Sequence, residues 1–169
     1  MAKTADITTE YVRSILDYNP VTGEFIHKKR GYAPWDAKWY GKIAGTIDGQ
    51  GRCQLWINKK SYRAHRIAWL IMTGSFPDNQ LDHINMNKDD NRFGNLRKAT
   101  RSQNHMNRRA YSNNKLGCKG VHRHGSKFRA MIKKDGEQIC LGLYPCVEQA
   151  KAAYANASVL MHGAFSRLD

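Results

Sequence analysis

The residues best suited to chemistry lie together between positions 81 and 104, in the segment LDHINMNKDDNRFGNLRKATRSQN. The pair Asp82-His83 opens this segment, and Asn104 closes it. Carboxylate and amide oxygens are hard ligands that suit Mg²⁺ with several waters retained, and they do not suit zinc. A neutral histidine beside such an ion can remove a proton from water for attack on a phosphodiester. The segment therefore indicates metal-assisted phosphodiester hydrolysis.

The elements around these residues are predicted to bring them to one point. A strand is predicted to end at residues 81–83, and a second short strand is predicted to begin near Leu96, after a polar loop. A helix is predicted to begin at Thr100, where T-R-S-Q matches a capping box in which Gln103 reaches back to the helix start. Asn104 then lies on the first turns of this helix, where we expect it to face the first strand.

The segment resembles the HNH nuclease family, in particular the homing endonucleases encoded by phages and introns. The upstream segments A-H-R-I-A-W, residues 64–69, and Y-N-P-x-T-G-E-F, residues 18–25, also resemble parts of such phage proteins. The resemblance covers roughly residues 8–107. Its central motif consists of the Asp82-His83 pair, Asn91 and Asn95 in D-N-R-x-x-N-L-R, and Asn104, which lies 21 positions after His83.

The resemblance implies a ββα-metal fold and a role for each matching residue. It makes His83 the general base, and it makes Asp82 and Asn104 the ligands of one divalent ion, Mg²⁺ or Mn²⁺. Asn95 would hold the loop and orient the histidine, which adds Asn95 to the catalytic group of His83 and Asp82. The ion would neutralise the scissile phosphate and stabilise the departing 3′ oxygen.

Four further polar residues near the motif are open to two interpretations each. His65 begins an apolar helix, where it either contacts the site or, as we favour, satisfies a hydrogen bond in the core. Arg66, Arg92 and Arg97 either contact phosphate, for which arginine offers bidentate geometry, or are solvated surface charges.

The overall charge indicates a polyanionic partner. The chain has 28 Lys and Arg against 14 Asp and Glu, which leaves a net charge of +14. The longest apolar run, residues 67–72, is far shorter than the roughly 20 residues that span a bilayer, so no membrane segment is expected. The polar start of the chain lacks the apolar region of a secretory signal, and we expect an intracellular protein, in the cytoplasm of a bacterial host or phage-infected cell.

The C-terminal part is predicted to be a small sheet with one helix. Strands are expected over residues 117–124, 127–134 and 137–144, with turns at His124-Gly125 and Asp135-Gly136. A helix with apolar positions from Val147 to Met161 follows and ends at Gly163. We expect it to cover one face of an antiparallel sheet. The other face is expected to carry Lys119, Arg123, Arg129 and Lys133.

This part resembles the Apetala-type DNA-binding domain of plant ethylene-response factors, over about residues 116–168. The matching stretches are GVHRHGSKFRAMI, LGLY and EQAKAAYANA. The chain departs from the plant pattern at residues 125–127, where it lacks an aromatic and glycine pair, so base specificity is not carried over. The DNA contacts that the resemblance implies are His122, Arg123, His124, Arg129 and Lys133, and the basic linker adds Arg108 and Arg109.

In the N-terminal part, a helix is predicted over residues 8–17, a small antiparallel sheet over residues 24–58, and a buried helix over residues 64–73 that stops at Gly74. The four cysteines form no C-x-x-C pair, which indicates ordinary thiols. We therefore predict an α+β protein of three parts: an HNH endonuclease domain (1–107), a basic linker (108–116) and a sheet-plus-helix DNA-binding domain (117–169).

The predicted function is an endonuclease that cuts double-stranded DNA, homing-type, acting as a monomer with no protein partner. A single site per chain favours nicking of one strand. The main alternative is a DNA-binding regulator whose HNH segment has lost activity. An RNA-binding protein would have the same charge, but the chain lacks an RRM-type aromatic signature.

Overall fold

The computed structural model of the chain describes residues 7–108, 110 and 114–167. Helices and mostly antiparallel strands are both present, so the predicted α+β class is confirmed. The chain forms two compact units, which divide between Lys98 and Ala99. The predicted boundary at residue 107 lies after the first helix of the second unit, and the three-part division stays a prediction. None of the described helices has the length and apolar character of a membrane span.

The first unit begins with helix α1, Thr9–Ile15, which starts where the Thr8 side chain accepts a hydrogen bond from the Tyr11 amide. The helix ends two residues earlier than predicted. Leu16 is already extended, because Leu16–Tyr18 forms strand β1 and pairs antiparallel with strand β2, Phe25–His27.

Helix α2, Ala33–Trp39, lies inside the stretch that was predicted to be entirely sheet. Pro34 stands in its first turn, where a missing amide hydrogen costs nothing, and Asp36 adds a favourable negative charge there. The helix also divides the strands into two sheets instead of one. The second sheet contains β3 (Thr46–Ile47), β4 (Cys53–Ile57) and β5 (Lys60–Arg63), in the antiparallel order β3-β4-β5.

Helix α3, Ala64–Thr73, forms where it was predicted and is the centre of the first core. Gly74 ends it in the left-handed conformation, with φ of 81°, and its amide donates to the Leu70 carbonyl. Ile67 and Ile71 are buried against residues of α1 and β4. Burial of each such side chain contributes about 1.5–3 kcal/mol.

Two short strands follow α3 and form the two-stranded sheet that carries the predicted site. They are β6, Gln80–His83, and β7, Leu96–Ala99, and both were predicted at these places. Between them lies a polar loop that ends in one turn of 3₁₀ helix, Phe93–Asn95.

The second unit contains helix α4, Arg101–Met106, and the sheet-plus-helix part. Both hydrogen bonds of the predicted capping box are present at the start of α4, between Thr100 and Gln103. The sheet is antiparallel with the order β10-β9-β8, and α5 packs on it through Ala150 and Tyr154. The elements are β8 (Val121–His124), β9 (Lys127–Lys134), β10 (Glu137–Tyr144) and α5 (Val147–His162).

The strand register corrects one expectation about the uncovered face of this sheet. Val121 pairs with Ala130, and both are buried in the core beneath α5. Successive side chains alternate between faces, so Arg123 shares the face of Val121 instead of lying on the uncovered one. His122, opposite Arg129, lies on the uncovered face.

Candidate active site

Strand β6 carries Asp82 and His83 as neighbouring buried residues, 5% and 8% exposed. Successive side chains of a strand point to opposite faces, so the two side chains have different neighbours. Buried ionisable groups are costly unless they are paired or neutral. The two residues meet this requirement in different ways.

Asp82 is paired with Arg97 of β7. The Arg97 guanidinium donates from Nε and from Nη2 to Asp82 Oδ2, at 2.9 and 2.8 Å. The side chains are 17% exposed for Arg97 and 6% exposed for Asp82, so water screens the pair weakly. The guanidinium therefore stabilises Asp82 as a buried carboxylate.

His83 lies beside His65 of α3, with the two rings perpendicular and their centroids 5.1 Å apart. Burial lowers the pKa of His83, although a side-chain hydrogen bond with Asn91 acts against this. Burial, followed by the effect of His83, lowers the pKa of His65 to about 3. Both rings are therefore neutral at pH 7, the state that a general base requires.

Asn95 holds the loop between β6 and β7 in place. Its Nδ2 donates to Asn85 Oδ1 at 3.0 Å and to the Asp90 carbonyl at 2.9 Å, and its Oδ1 accepts from the Asn85 amide at 3.0 Å. At the other side of the loop, Arg92 pairs with Asp90 and holds the pKa of that carboxyl well below its usual range. These bonds fix the loop that follows His83.

The segment Y-N-P-x-T-G-E-F packs against the same loop. Tyr18 donates its hydroxyl to the Asn91 carbonyl at 2.7 Å, and the Phe93 amide donates to the Pro20 carbonyl at 3.0 Å. Gly23 has φ of 80°, and a Cβ there would lie 2.5 Å from the Arg92 backbone nitrogen. This turn therefore packs against the loop between β6 and β7 and supports it. Local sequence patterns do not reveal this contact.

The arginines near the motif have separate partners. Arg66 donates to the Pro77 carbonyl at 3.3 Å, while Arg92 pairs with Asp90 and Arg97 with Asp82. Sequence reasoning treated Arg97 as a phosphate contact or a surface charge and missed its pairing with Asp82. The available signal was its place on a strand predicted to adjoin that of Asp82.

The structure brings Asp82, His83, Asn91 and Asn95 together in the first unit, whereas Asn104 lies on α4, in the second. Asn104 is half-buried, and its backbone amide donates to the Thr100 carbonyl at 3.0 Å. Its predicted pairing with Asp82 at a metal ion stays a prediction. No group of three His, Cys, Asp or Glu residues suited to a metal occurs within the described ranges.

The predicted DNA contacts of the second unit are exposed or half-buried. His122, His124 and Lys133 are exposed, and Arg129 Nη2 lies 3.0 Å from His124 Nε2. Arg123, also exposed, is close to the Gly125 carbonyl, with Nε at 3.4 Å. Arg108 is exposed just after α4, and Arg109 lies outside the described residues.

The segment that carries the candidate site matches a known family model. Residues 62–106 match the family model described as HNH endonuclease. The chain is also 34% identical over 133 residues to an HNH endonuclease of Acanthamoeba polyphaga mimivirus; the match covers 76% of this chain and 65% of that protein, just under two thirds of its length.

Among solved structures, the chain is similar to one described as "DNA binding and cleavage by the HNH homing endonuclease I-HmuI". The TM-score is 0.43 at 20% sequence identity, and the match covers 88% of this chain and 85% of that one. By these sequence matches, residues 62–106, which include β6 and β7, are similar to the HNH endonuclease family.

Proposed function

We propose that the chain is a metal-dependent endonuclease that hydrolyses phosphodiester bonds in double-stranded DNA, with His83 as the general base. The observation that carries the proposal is a neutral, buried His83 next to the buried carboxylate of Asp82, within the HNH endonuclease domain. A base and a hard anionic ligand in adjacent positions are the two groups that metal-assisted hydrolysis needs.

The donor chemistry fits a hard divalent ion. Asp82 would supply a carboxylate oxygen and Asn104 an amide oxygen, the ligand types that Mg²⁺ and Mn²⁺ accept. When bound, such an ion supplies Lewis-acid stabilisation of charge on the phosphate and on the departing 3′ oxygen. Arg97 would hold the Asp82 carboxylate in one orientation before the ion arrives.

His83 would take a proton from the attacking water. Burial favours its neutral form, so the ring is ready to accept that proton at neutral pH. Its contact with His65 and its hydrogen bond with Asn91 restrict the orientation of the ring. Asn95 acts through the loop: its three hydrogen bonds hold the backbone that follows the histidine, so it is a positioning residue.

Binding of DNA would be shared with the second unit. The net charge of +14 favours a polyanion. We propose that the uncovered face of β8 and β9 contacts DNA through His122, His124, Arg129 and Lys133, as in the Apetala-type domain that it resembles. Arg123 would contact phosphate from the strand end, and Arg108 and Arg109 would follow the backbone. A tethered second contact raises the effective concentration of DNA at the catalytic site.

The setting that we propose is that of a homing-type enzyme in the cytoplasm of a bacterial host or phage-infected cell. One site per chain favours a monomer that nicks one strand. Mapping of the cut positions on both strands tests this: paired breaks from a monomeric chain would contradict it.

The first experiment compares the wild-type chain with His83→Ala on supercoiled plasmid and phage genomic DNA, in Mg²⁺, in Mn²⁺ and in EDTA. The matched control is His105→Ala, which removes an exposed histidine. We expect metal-dependent cleavage that His83→Ala abolishes and His105→Ala retains, with DNA binding kept in all three chains. Tight binding without cleavage in any metal would overturn the proposal and favour a DNA-binding regulator.

A further inference from the structure

Helix α2 buries none of its residues, although it contains two tryptophans. Trp39 is 38% exposed, and the flanking Tyr32 and Tyr40 are 65% and 55% exposed. Tryptophan side chains are on average largely buried in folded proteins, and a helix of seven residues gains little stability by itself. The packing of the fold therefore does not explain why these aromatic residues stand here.

Three of these rings each lie beneath a cation. Arg30 lies over Trp35 at 4.0 Å from the ring centroid, and Lys29 over Tyr40 and Lys38 over Trp39, both at 5.1 Å. Three pairs between residues 29 and 40 are a strong local concentration. We call these three cations and their three rings the α2 surface.

The α2 surface is fixed to the first unit through His27 of β2. The His27 ring meets the Trp35 ring edge-on at 5.2 Å and the Trp39 ring at 5.8 Å. Burial, and secondarily Arg30, lowers the pKa of His27, so the ring that anchors the helix is neutral. Two of the rings that contact the cations, Trp35 and Trp39, are thus themselves held in place by His27.

The positive charge of the α2 surface is not cancelled locally. Residues 28–42 contain five Lys or Arg and a single acidic residue, Asp36. The Asp36 carboxylate accepts from the backbone amides of Arg30 and Gly31, at 2.7 and 3.1 Å. Within the described part of the chain, no carboxylate forms an ion pair with Lys29, Arg30 or Lys38.

The arrangement of rings and cations decides between two forms of nucleic acid. Proteins that bind single strands stack bases on open aromatic faces. Here a cation lies over each of the three rings, and the His27 ring packs at a steep angle against two of them. The three cations are exposed, and such groups suit phosphate oxygens and carry no sequence information.

We propose that the α2 surface binds the phosphate backbone of duplex DNA, as an attachment point separate from the HNH endonuclease domain of residues 62–106. Lys29, Arg30 and Lys38 would contact phosphates, and the rings beneath them would limit their motion. This inference rests on the proposed function in one respect only, that duplex DNA is the substrate.

The test measures duplex binding at several salt concentrations, in EDTA so that no cutting occurs. The triple variant Lys29→Gln, Arg30→Gln, Lys38→Gln removes three charges. Each lost phosphate contact lowers the slope of log affinity against log salt by about 0.9, so the slope should fall by about 2 to 3. The matched control, Lys59→Gln, Lys134→Gln, Lys151→Gln, removes three exposed charges elsewhere and should leave the slope within about one unit of wild type.

A second variant tests the rings without changing the charge. Tyr40→Leu removes the ring beneath Lys29 and should weaken duplex binding about two- to fivefold, since an exposed pair of this kind contributes modestly. Circular dichroism of each variant verifies that the fold is intact.

Three outcomes would overturn the inference. Equal slopes in the triple variant and its control would show that only net charge matters. An unchanged slope in the triple variant, when the wild-type chain does bind and cut duplex DNA, would rule out the α2 surface as a DNA contact and leave the proposed function standing. A larger loss on single-stranded than on duplex oligonucleotides would assign the surface to single strands. If the wild-type chain bound no duplex at all, the proposed function itself would fail.

Discussion

Replacement of Arg97 by methionine should destabilise the first unit by about 3 kcal/mol. Methionine keeps most of the aliphatic length of the side chain but removes the guanidinium, so Asp82 becomes a buried carboxylate without its main cation. Removal of one partner of a buried ion pair typically costs about 3–5 kcal/mol. The Arg97 side chain is 17% exposed, so some water can reach the cavity, and we expect the lower end of this range.

The assay is urea unfolding in EDTA, followed by tryptophan fluorescence. All four tryptophans lie before Lys98, so the signal reports on the first unit. With a slope of about 1–3 kcal/mol per molar urea, the midpoint should fall by about 1–3 M. In the double variant with Asp82→Asn, the effects should fall short of additive by about 2 kcal/mol, because the unpaired charge is then gone.

Arg92→Met is the matched control. It breaks the pair of Arg92 with Asp90, in which the Arg92 side chain is 54% exposed, and such surface pairs contribute less than about 1 kcal/mol. If Arg97→Met shifts the midpoint no more than Arg92→Met does, the reasoning about a buried carboxylate stabilised by Arg97 is refuted.

Three further predictions follow from the loop and its supports. Gly23→Ala should destabilise the first unit by about 2 kcal/mol or more, because Gly23 has a φ of 80° and the new Cβ would clash with the Arg92 backbone. An unchanged urea midpoint would contradict this. His65 is neutral in the folded chain, so the free energy of unfolding of the wild type should fall by about 2 kcal/mol between pH 7 and pH 5. His65→Leu should lose this part of the pH dependence, as measured by urea titrations at both pH values. Asp82→Asn should weaken Mn²⁺ binding by about tenfold or more in calorimetry, whereas Asp89→Asn, an exposed carboxylate in the loop after β6, should not. Equal losses in the two variants would rule out Asp82 as a ligand.

Elements whose signals are local were predicted well from the sequence. Helix α3 was predicted to the residue, because its apolar period and the terminal Gly74 lie within one segment. The capping box at Thr100 was likewise predicted, since both of its hydrogen bonds join residues three apart. The turns at Gly125 and Gly136, both with positive φ, divided the strands of the second unit correctly.

Features that depend on distant residues were not predicted. Helix α2 was missed because it is short and buries none of its residues, so no core-facing apolar period marks it. Arg97 was not matched with Asp82, because that pairing depends on the alignment of two strands. The contact between His65 and His83 depends on how α3 packs, and sequence alone favoured a structural role for His65.

The pairing of Asp82 with Arg97 also bears on what a chelator does to this protein. In many small metal-binding domains the ion is part of the fold, and its removal unfolds the chain. Here Arg97 of β7 already pairs with the Asp82 carboxylate, and a hydrogen bond between the side-chain amides of Asn95 and Asn85 holds the loop in place. Withdrawal of a divalent ion should therefore stop the chemistry and leave the first unit folded. If the proposed metal-dependent cleavage is correct, the chain should remain folded through purification and storage in a chelator, and addition of the ion should then begin cleavage of bound DNA.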